Sequence, residues 1–147
     1  MLYVSARVVF AFLIACVLGC SGKKEDVAPV ALPSLTGTWD MTKLVVTLYN
    51  ADGTVRSTTT HDDYVAAGEI WSHVFHADGR FEYQYQGQPG RTGTYTYTAT
   101  HLVQTNNPGY APTHTYDIDK LAATEMLLAR DLRPASNQKS VSTWVKR

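Results

Sequence analysis

The hexapeptide FEYQYQ at residues 81–86 decides the fold class, because aromatic and polar side chains alternate along it without interruption. A second stretch, GTYTYT at residues 93–98, repeats the same alternation. Successive side chains of a β-strand point to opposite faces, so each stretch predicts a strand with one aromatic and one polar face. Residues 87–90 contain two glycines and predict the turn that joins the two strands into an antiparallel hairpin.

Further strand candidates lie on both sides of this hairpin. Glycine-containing turn sequences at residues 50–53, 77–80 and 106–109 have the short spacing typical of a β meander. Residues 62–68 predict one helical turn, capped by Asp62 or Asp63 and ended by Gly68. The polar segment 54–61 is expected to form a strand at a sheet edge. The strand candidates are residues 44–49, 54–61, 70–76, 102–104, 113–120 and 140–146.

One segment disagrees with this pattern. Residues 121–132, from Leu121 to Leu132, are rich in Ala, Glu, Met, Leu and Arg, which favour helix. Taken alone, the segment predicts a helix. Its neighbours favour a strand instead, because the meander needs a strand there to close.

The first nineteen residues have the three parts of a secretory signal peptide, namely Arg7, an apolar run over residues 8–18 and a small residue before the cleavage point. The run is too short to span a bilayer, which takes about 20 residues. Its end, VLGC at residues 17–20, resembles the lipobox of bacterial lipoproteins and implies that Cys20 is acylated. We therefore expect a lipoprotein signal peptide over residues 1–19, a lipid anchor and flexible tether over 20–34, and one β domain over 35–147. The charged sequence KKED after Cys20 leaves a cell-surface and a periplasmic orientation on the outer membrane both open.

Composition narrows the functional classes. Thirteen basic residues balance thirteen acidic ones, so the chain offers no positive field for nucleic acid. Both cysteines, Cys16 and Cys20, lie in or next to the leader, and the mature domain is expected to have no disulfide. We expect a monomer.

Catalytic and metal-binding motifs are not evident. His73 and His76 are three positions apart on a predicted strand and therefore point to opposite faces, whereas a metal needs converging ligands. The sequence contains neither a Gly-x-Ser-x-Gly motif nor a phosphate-binding loop. We therefore expect no enzyme activity, no metal and no cofactor. The five histidines considered are His61, His73, His76, His101 and His114.

An ordered set of motifs resembles the lipocalin-like domain of bacterial lipoproteins. It begins with LTGTW at residues 35–39, similar to the Gly-x-Trp signature of lipocalins, and continues through the aromatic strands to TEMLL at residues 124–128. The resemblance implies a small up-and-down antiparallel β-barrel of about eight strands, with a turn and a strand within residues 121–132. It leaves unassigned the Arg that closes the barrel base in lipocalins, and residues 54–68 are longer than a simple hairpin needs.

Two functional hypotheses follow from this barrel. In the first, inward aromatic side chains line a cavity for a small hydrophobic or amphipathic ligand. In the second, the same rings fill the interior, and the domain is a protein- or glycan-interaction module of the cell envelope. An open cavity lined by the four tyrosines of the hairpin would favour the first. Trp39 is expected to plug one end of the barrel. The expected cavity-lining residues are Trp71, Phe75, Phe81, Tyr83, Tyr85, Tyr95 and Tyr97.

Overall fold

The structure is a computed structural model, and it describes residues 31–111, 113–133 and 135–147. The predicted signal peptide (residues 1–19), the acylation site Cys20 and most of the predicted tether lie outside these residues. In the described part of the chain, no helix has the length and apolar character needed to cross a membrane.

The described residues form nine β-strands and no helix, as the alternating pattern predicted. The strands are β1 (Gly37–Tyr49), β2 (Val55–Asp62), β3 (Trp71–Phe75), β4 (Arg80–Tyr85), β5 (Gln88–Tyr97), β6 (His101–Asn106), β7 (Thr113–Leu121), β8 (Glu125–Asp131) and β9 (Gln138–Lys146).

The sheet closes into an eight-stranded antiparallel barrel with one additional strand. Its order is β2-β1-β3-β4-β5-β6-β7-β8-β9, and β1 also pairs with β9, which closes the ring. The predicted small lipocalin-like barrel is therefore confirmed. β2 lies outside the ring at the sheet edge, and all eight of its residues are exposed. This strand accounts for the length of the connection between the first two barrel strands.

β1 exchanges partners halfway along its length. Residues 37–40 pair with β3, whereas residues 43–49 pair with β2 on the same side of the strand. The exchange occurs at Thr42, which is also the extra residue of a β-bulge opposite β9. A bulge shifts the alternation by one residue. As a result Met41 and Leu44 both line the interior, while Lys43 pairs with Asp62 outside at 3.0 Å.

Two turns show how local sequence directs the chain. Gln86 and Gly87 have φ values of 50° and 72° and form a tight two-residue hairpin turn. β5 therefore starts at Gln88, within the predicted turn at 87–90. Between β2 and β3, Asp63 accepts a bond from the amide of Ala66 at 3.2 Å, and Gly68 has a φ of 74°. The predicted single turn is thus present, with Asp63 as its cap.

Residues 121–132 form a turn and a strand, not a helix. β8 (Glu125–Asp131) pairs with β7 on one side and β9 on the other. Met126 and Leu128 point inward and are fully buried. Burial between two strands outweighs the helix propensity of these residues, because most of the stability of such a segment comes from packing.

The barrel is packed solid at one end. Trp39 is fully buried there, and its Nε1 donates a hydrogen bond to the carbonyl oxygen of Leu35 at 2.7 Å. The Lys146 ammonium lies 5.2 Å from the centre of the Trp39 ring. We call this region the closed end. Its other fully buried side chains are Leu35, Phe75, Phe81, Leu102 and Met126.

Candidate ligand site at the open end of the barrel

The opposite end of the barrel holds a cavity of about 200 Å³ that opens to solvent. Seven of the nine strands contribute side chains to its wall, which is partly apolar, partly aromatic and partly basic. We call it the open-end cavity. Its lining residues are Met41, Leu44, His73, Tyr83, Arg91, Tyr116, Arg130, Ser140, Ser142 and Trp144.

Two arginines from different strands face this cavity. Arg91 belongs to β5 and Arg130 to β8, where Arg130 is paired in register with Ser140. Both side chains are half-buried. In the described part of the chain, no Asp or Glu oxygen lies within 4.0 Å of either guanidinium. The cavity therefore carries positive charge that is not paired with a carboxylate of the described residues.

Arg91 lies in a β-bulge of β5. Between the pairs Glu82–Thr92 and Gln84–Pro89, β5 has two residues where β4 has one. Gly90 is one of the two, and a Cβ there would lie 2.8 Å from the carbonyl oxygen of Tyr83. The close approach of the two strands thus requires glycine at this position. Bulges often redirect a side chain next to a functional site.

Both guanidinium groups lie over tyrosine rings. The Arg91 Cζ is 4.7 Å from the ring centre of Tyr83, and the Arg130 Cζ is 5.9 Å from that of Tyr116. Burial raises the pKa of Tyr83 to about 12, although the charge of Arg91 opposes this rise. Burial likewise raises the pKa of Tyr116. Both hydroxyls are therefore protonated at neutral pH and can donate hydrogen bonds into the cavity.

His114, on β7, forms a hydrogen bond with Arg91. Its Nε2 is 3.0 Å from the Arg91 Nη1, and because a guanidinium can only donate, the imidazole accepts this bond. Burial and the charges of Arg130 and Arg91 lower the pKa of His114 to about 4. The ring is therefore neutral at pH 7 and carries its proton on Nδ1.

His73 lies deeper, between the open-end cavity and the closed end. Its ring stacks on Trp144 at 4.3 Å and contacts Tyr83 edge-on at 4.8 Å. Burial, followed by the charges of Arg91 and His114, lowers its pKa to about 3. His73 is a neutral, aromatic part of the cavity wall.

Among the described residues, three buried side-chain polar atoms have no hydrogen-bond partner. They are the Gln104 Oε1, the Asn106 Oδ1 and the His114 Nδ1. Gln104 donates from its Nε2 to the His73 Nδ1 at 3.5 Å, which leaves its carbonyl oxygen free. Buried polar groups are normally paired, so these unpaired atoms make part of the barrel interior polar.

Four of the seven predicted lining residues belong to the closed end. Phe75 and Phe81 are fully buried in its core. The Tyr95 ring contacts Phe75 edge-on at 4.8 Å, and its hydroxyl donates to the carbonyl oxygen of His76 at 2.9 Å. The Tyr97 hydroxyl donates to the Pro33 carbonyl oxygen at 3.4 Å. These rings share one face but fill the barrel instead of lining the open-end cavity.

The remaining three form an aromatic stack toward the open end. Tyr83 lines the cavity, and Trp71 stacks on it with ring centres 5.6 Å apart. Tyr85 contacts Trp71 at 4.3 Å and is 38% exposed. Residues at i, i+2 and i+4 of one strand share a face but lie at different heights along the barrel. For this reason Tyr83 lines the open-end cavity, whereas Tyr85, Tyr95 and Tyr97 do not.

Arg91, Tyr116 and Arg130 were not predicted as site residues. A signal existed for the two arginines. Arg91 extends the inward series Gly93, Tyr95 and Tyr97 by one alternation. Arg130 likewise follows the inward residues Met126 and Leu128. Charge made these positions look exposed, and only closure of the barrel shows that they face the interior.

The described residues contain no group of three or more His, Cys, Asp or Glu side chains placed to hold a metal ion. No known family model and no curated protein sequence matches this chain. The open-end cavity presents hydrogen-bond donors, aromatic faces and positive charge, which is an arrangement suited to binding.

Proposed function

We propose that the protein is a lipid-anchored, non-catalytic module of the cell envelope that captures a small amphipathic molecule in the open-end cavity. The observation that carries the proposal is the contrast between the two ends of the barrel. One end is filled by apolar side chains, whereas the other leaves about 200 Å³ open to solvent. We further propose kinship with the lipocalin-like domains of bacterial lipoproteins, on the shared motif order and barrel form.

The size and lining of the cavity favour a small ligand. Sites for drug-sized ligands range from about 300 to 1,000 Å³, so this cavity suits a compact molecule or one end of a longer one. Met41, Leu44 and Trp144 offer apolar surface, while Ser140 and Tyr116 offer hydroxyls. Such a mixture suits a molecule with an apolar body and a polar end.

A neutral fluorescent probe, N-phenyl-1-naphthylamine, tests whether the cavity binds at all. We expect saturable binding of one probe per protein, seen as a rise in fluorescence. Ser140→Trp should abolish binding by filling the cavity, because Ser140 lines it and makes no side-chain hydrogen bond among the described residues. Thr115→Trp adds the same ring at an exposed position of β7 and is the matched control.

Loss of probe binding in Ser140→Trp alone would support the proposal, provided that both variants melt as one cooperative unit. A wild-type protein that does not bind the probe, or equal binding by both variants, would contradict it. The domain would then be better described as a protein- or glycan-interaction module with a filled barrel.

The anchor rests on the sequence VLGC at residues 17–20. Membrane attachment by lipid is strong, since each buried CH₂ contributes about 0.8 kcal/mol. We expect Cys20→Ala to move the protein from the outer-membrane fraction into the soluble fraction and to remove incorporated radiolabelled palmitate. Cys16→Ala should change neither. Fully acylated protein in the Cys20→Ala variant would refute the assignment.

A further inference from the structure

Arg91 and Arg130 differ from three other arginines of the described residues in having no carboxylate partner. Three described arginines, Arg80, Arg133 and Arg147, each have a carboxylate partner within 3 Å. Arg91 and Arg130 have none in the described part of the chain, although both are half-buried. Removing a cation from water is costly unless an anion or a set of acceptors replaces the water.

The protein groups around the two arginines replace that water only in part. His114 accepts one hydrogen bond from Arg91, the Tyr116 hydroxyl is a second acceptor beside the same guanidinium, and a guanidinium has five donors. The rings of Tyr83 and Tyr116 lie close to the cations, but a ring face offers no lone pair in the plane of the guanidinium. Among the described residues, most donors of both arginines therefore have no acceptor and can bind one from outside the chain.

The lining of the cavity also discriminates by charge. It contains two arginines and no aspartate or glutamate. A cationic ligand would be repelled, and a neutral one would leave the guanidinium donors unmatched. An oxyanion such as a carboxylate or a phosphate offers the in-plane, two-atom acceptor that fits a guanidinium fork.

From these contacts we infer that the open-end cavity selects amphipathic anions, with Arg91 and Arg130 holding the carboxylate or phosphate headgroup. The inference rests on the proposed function and specifies its ligand class. β5 and β8 are separated by two strands of the barrel, so the two guanidinium groups approach the headgroup from different sides. The apolar body would lie against Met41, Leu44 and Trp144.

Four probes with one octyl chain and different headgroups test this inference. They are octanoate, octyl phosphate, 1-octanol and octylamine, each measured by displacement of N-phenyl-1-naphthylamine from the intact protein. We expect at least one of the two anions to bind about tenfold or more tighter than octanol, because hydrogen bonds to charged groups are the stronger ones. Octylamine should bind more weakly than octanol. The ratio of octanoate to octyl phosphate identifies the headgroup.

The variants Arg91→Gln and Arg130→Gln, alone and together, show whether these side chains cause the preference. The double variant should bind octanoate, octyl phosphate and octanol about equally. Arg56→Gln is the matched control, because Arg56 is an exposed arginine of β2 outside the barrel. It should retain the full preference for anions.

Thermal melting distinguishes a binding role from a structural one. We expect the double variant to melt at or above the wild-type temperature, since it removes two cations that have no carboxylate partner. Octanol binding equal to that of both anions in the wild type would overturn the inference and leave the proposed function intact. Failure of the naphthylamine probe itself to bind would instead overturn the proposed function, and the inference with it. A preference for anions that survives in the double variant would also overturn the assignment to these residues.

Discussion

Substitution of Trp39 measures how much the closed end contributes to stability. Its side chain is 0% exposed, and its indole Nε1 donates to the Leu35 carbonyl oxygen at 2.7 Å. Truncating a large aromatic residue in a core costs about 3–5 kcal/mol. Trp39→Ala also leaves the buried Leu35 carbonyl without its partner, at a further cost of about 1 kcal/mol or more. Because domains are stable by only about 5–15 kcal/mol, this variant should be close to unfolding at room temperature.

Trp39→Phe separates the hydrogen bond from the packing. Phenylalanine keeps most of the ring volume but cannot donate, so we expect a loss of about 2 kcal/mol. For a domain of this size, 1 kcal/mol corresponds to about 4 °C in Tm. The expected decreases in Tm are therefore about 8 °C for Trp39→Phe and about 20 °C for Trp39→Ala.

The measurement is thermal and urea unfolding followed by circular dichroism. Tyr110→Ala is the control, because Tyr110 is an aromatic residue that is 51% exposed. It should change stability by less than about 0.5 kcal/mol. A Trp39→Ala variant that melts within about 2 °C of the wild type would show that this reasoning about the closed end is wrong.

Two further predictions concern the barrel interior. Gly93→Ala should lower the free energy of unfolding by about 3 kcal/mol or more, because its Cβ would lie 2.0 Å from the Thr105 carbonyl oxygen. The control is Thr94→Ala, at the exposed neighbouring position, which should change the urea midpoint little. An unchanged urea midpoint in Gly93→Ala would mean that β5 and β6 leave room for a Cβ at residue 93, contrary to this reasoning. Lowering the pH should destabilise the protein, since His73 has a pKa of about 3 in the folded state, whereas an unfolded histidine titrates near 6.5. Stability is thus complete above about pH 6.5 and is lost as the pH falls toward 3, by about 1.4 kcal/mol per pH unit. His73→Gln should show a shallower loss over this range, and an identical pH profile in both proteins would argue against a buried neutral His73.

Much of the fold could be predicted from the sequence because it depends on neighbours along the chain. Alternation in FEYQYQ and GTYTYT predicted β4 and half of β5, and the glycine turns predicted where the chain reverses. Trp39 was expected at one end and is fully buried there. The acylation of Cys20 is a prediction of the same local kind, and it stays untested by this structure.

Residues 121–132 show where local information is insufficient. Their composition favours helix, and the strand β8 forms because β7 and β9 supply hydrogen bonds on both sides. The free energy of those bonds and of burying Met126 and Leu128 belongs to contacts with distant residues. Propensity alone therefore predicted the wrong structure, and the strand was favoured by the neighbouring meander and by the resemblance to a barrel family.

Periodicity along the chain determined that this protein is made of strands, and which side chains share a face of each strand. It did not determine how far along the barrel axis each inward side chain lies once β1 pairs with β9. Closure and the bulges at Thr42 and Gly90 set those positions, and they place the hairpin tyrosines apart while bringing Arg91 and Arg130 to one cavity. The physical reason is that alternation has a range of two residues, whereas convergence across a barrel depends on the register of every strand pair between the two side chains.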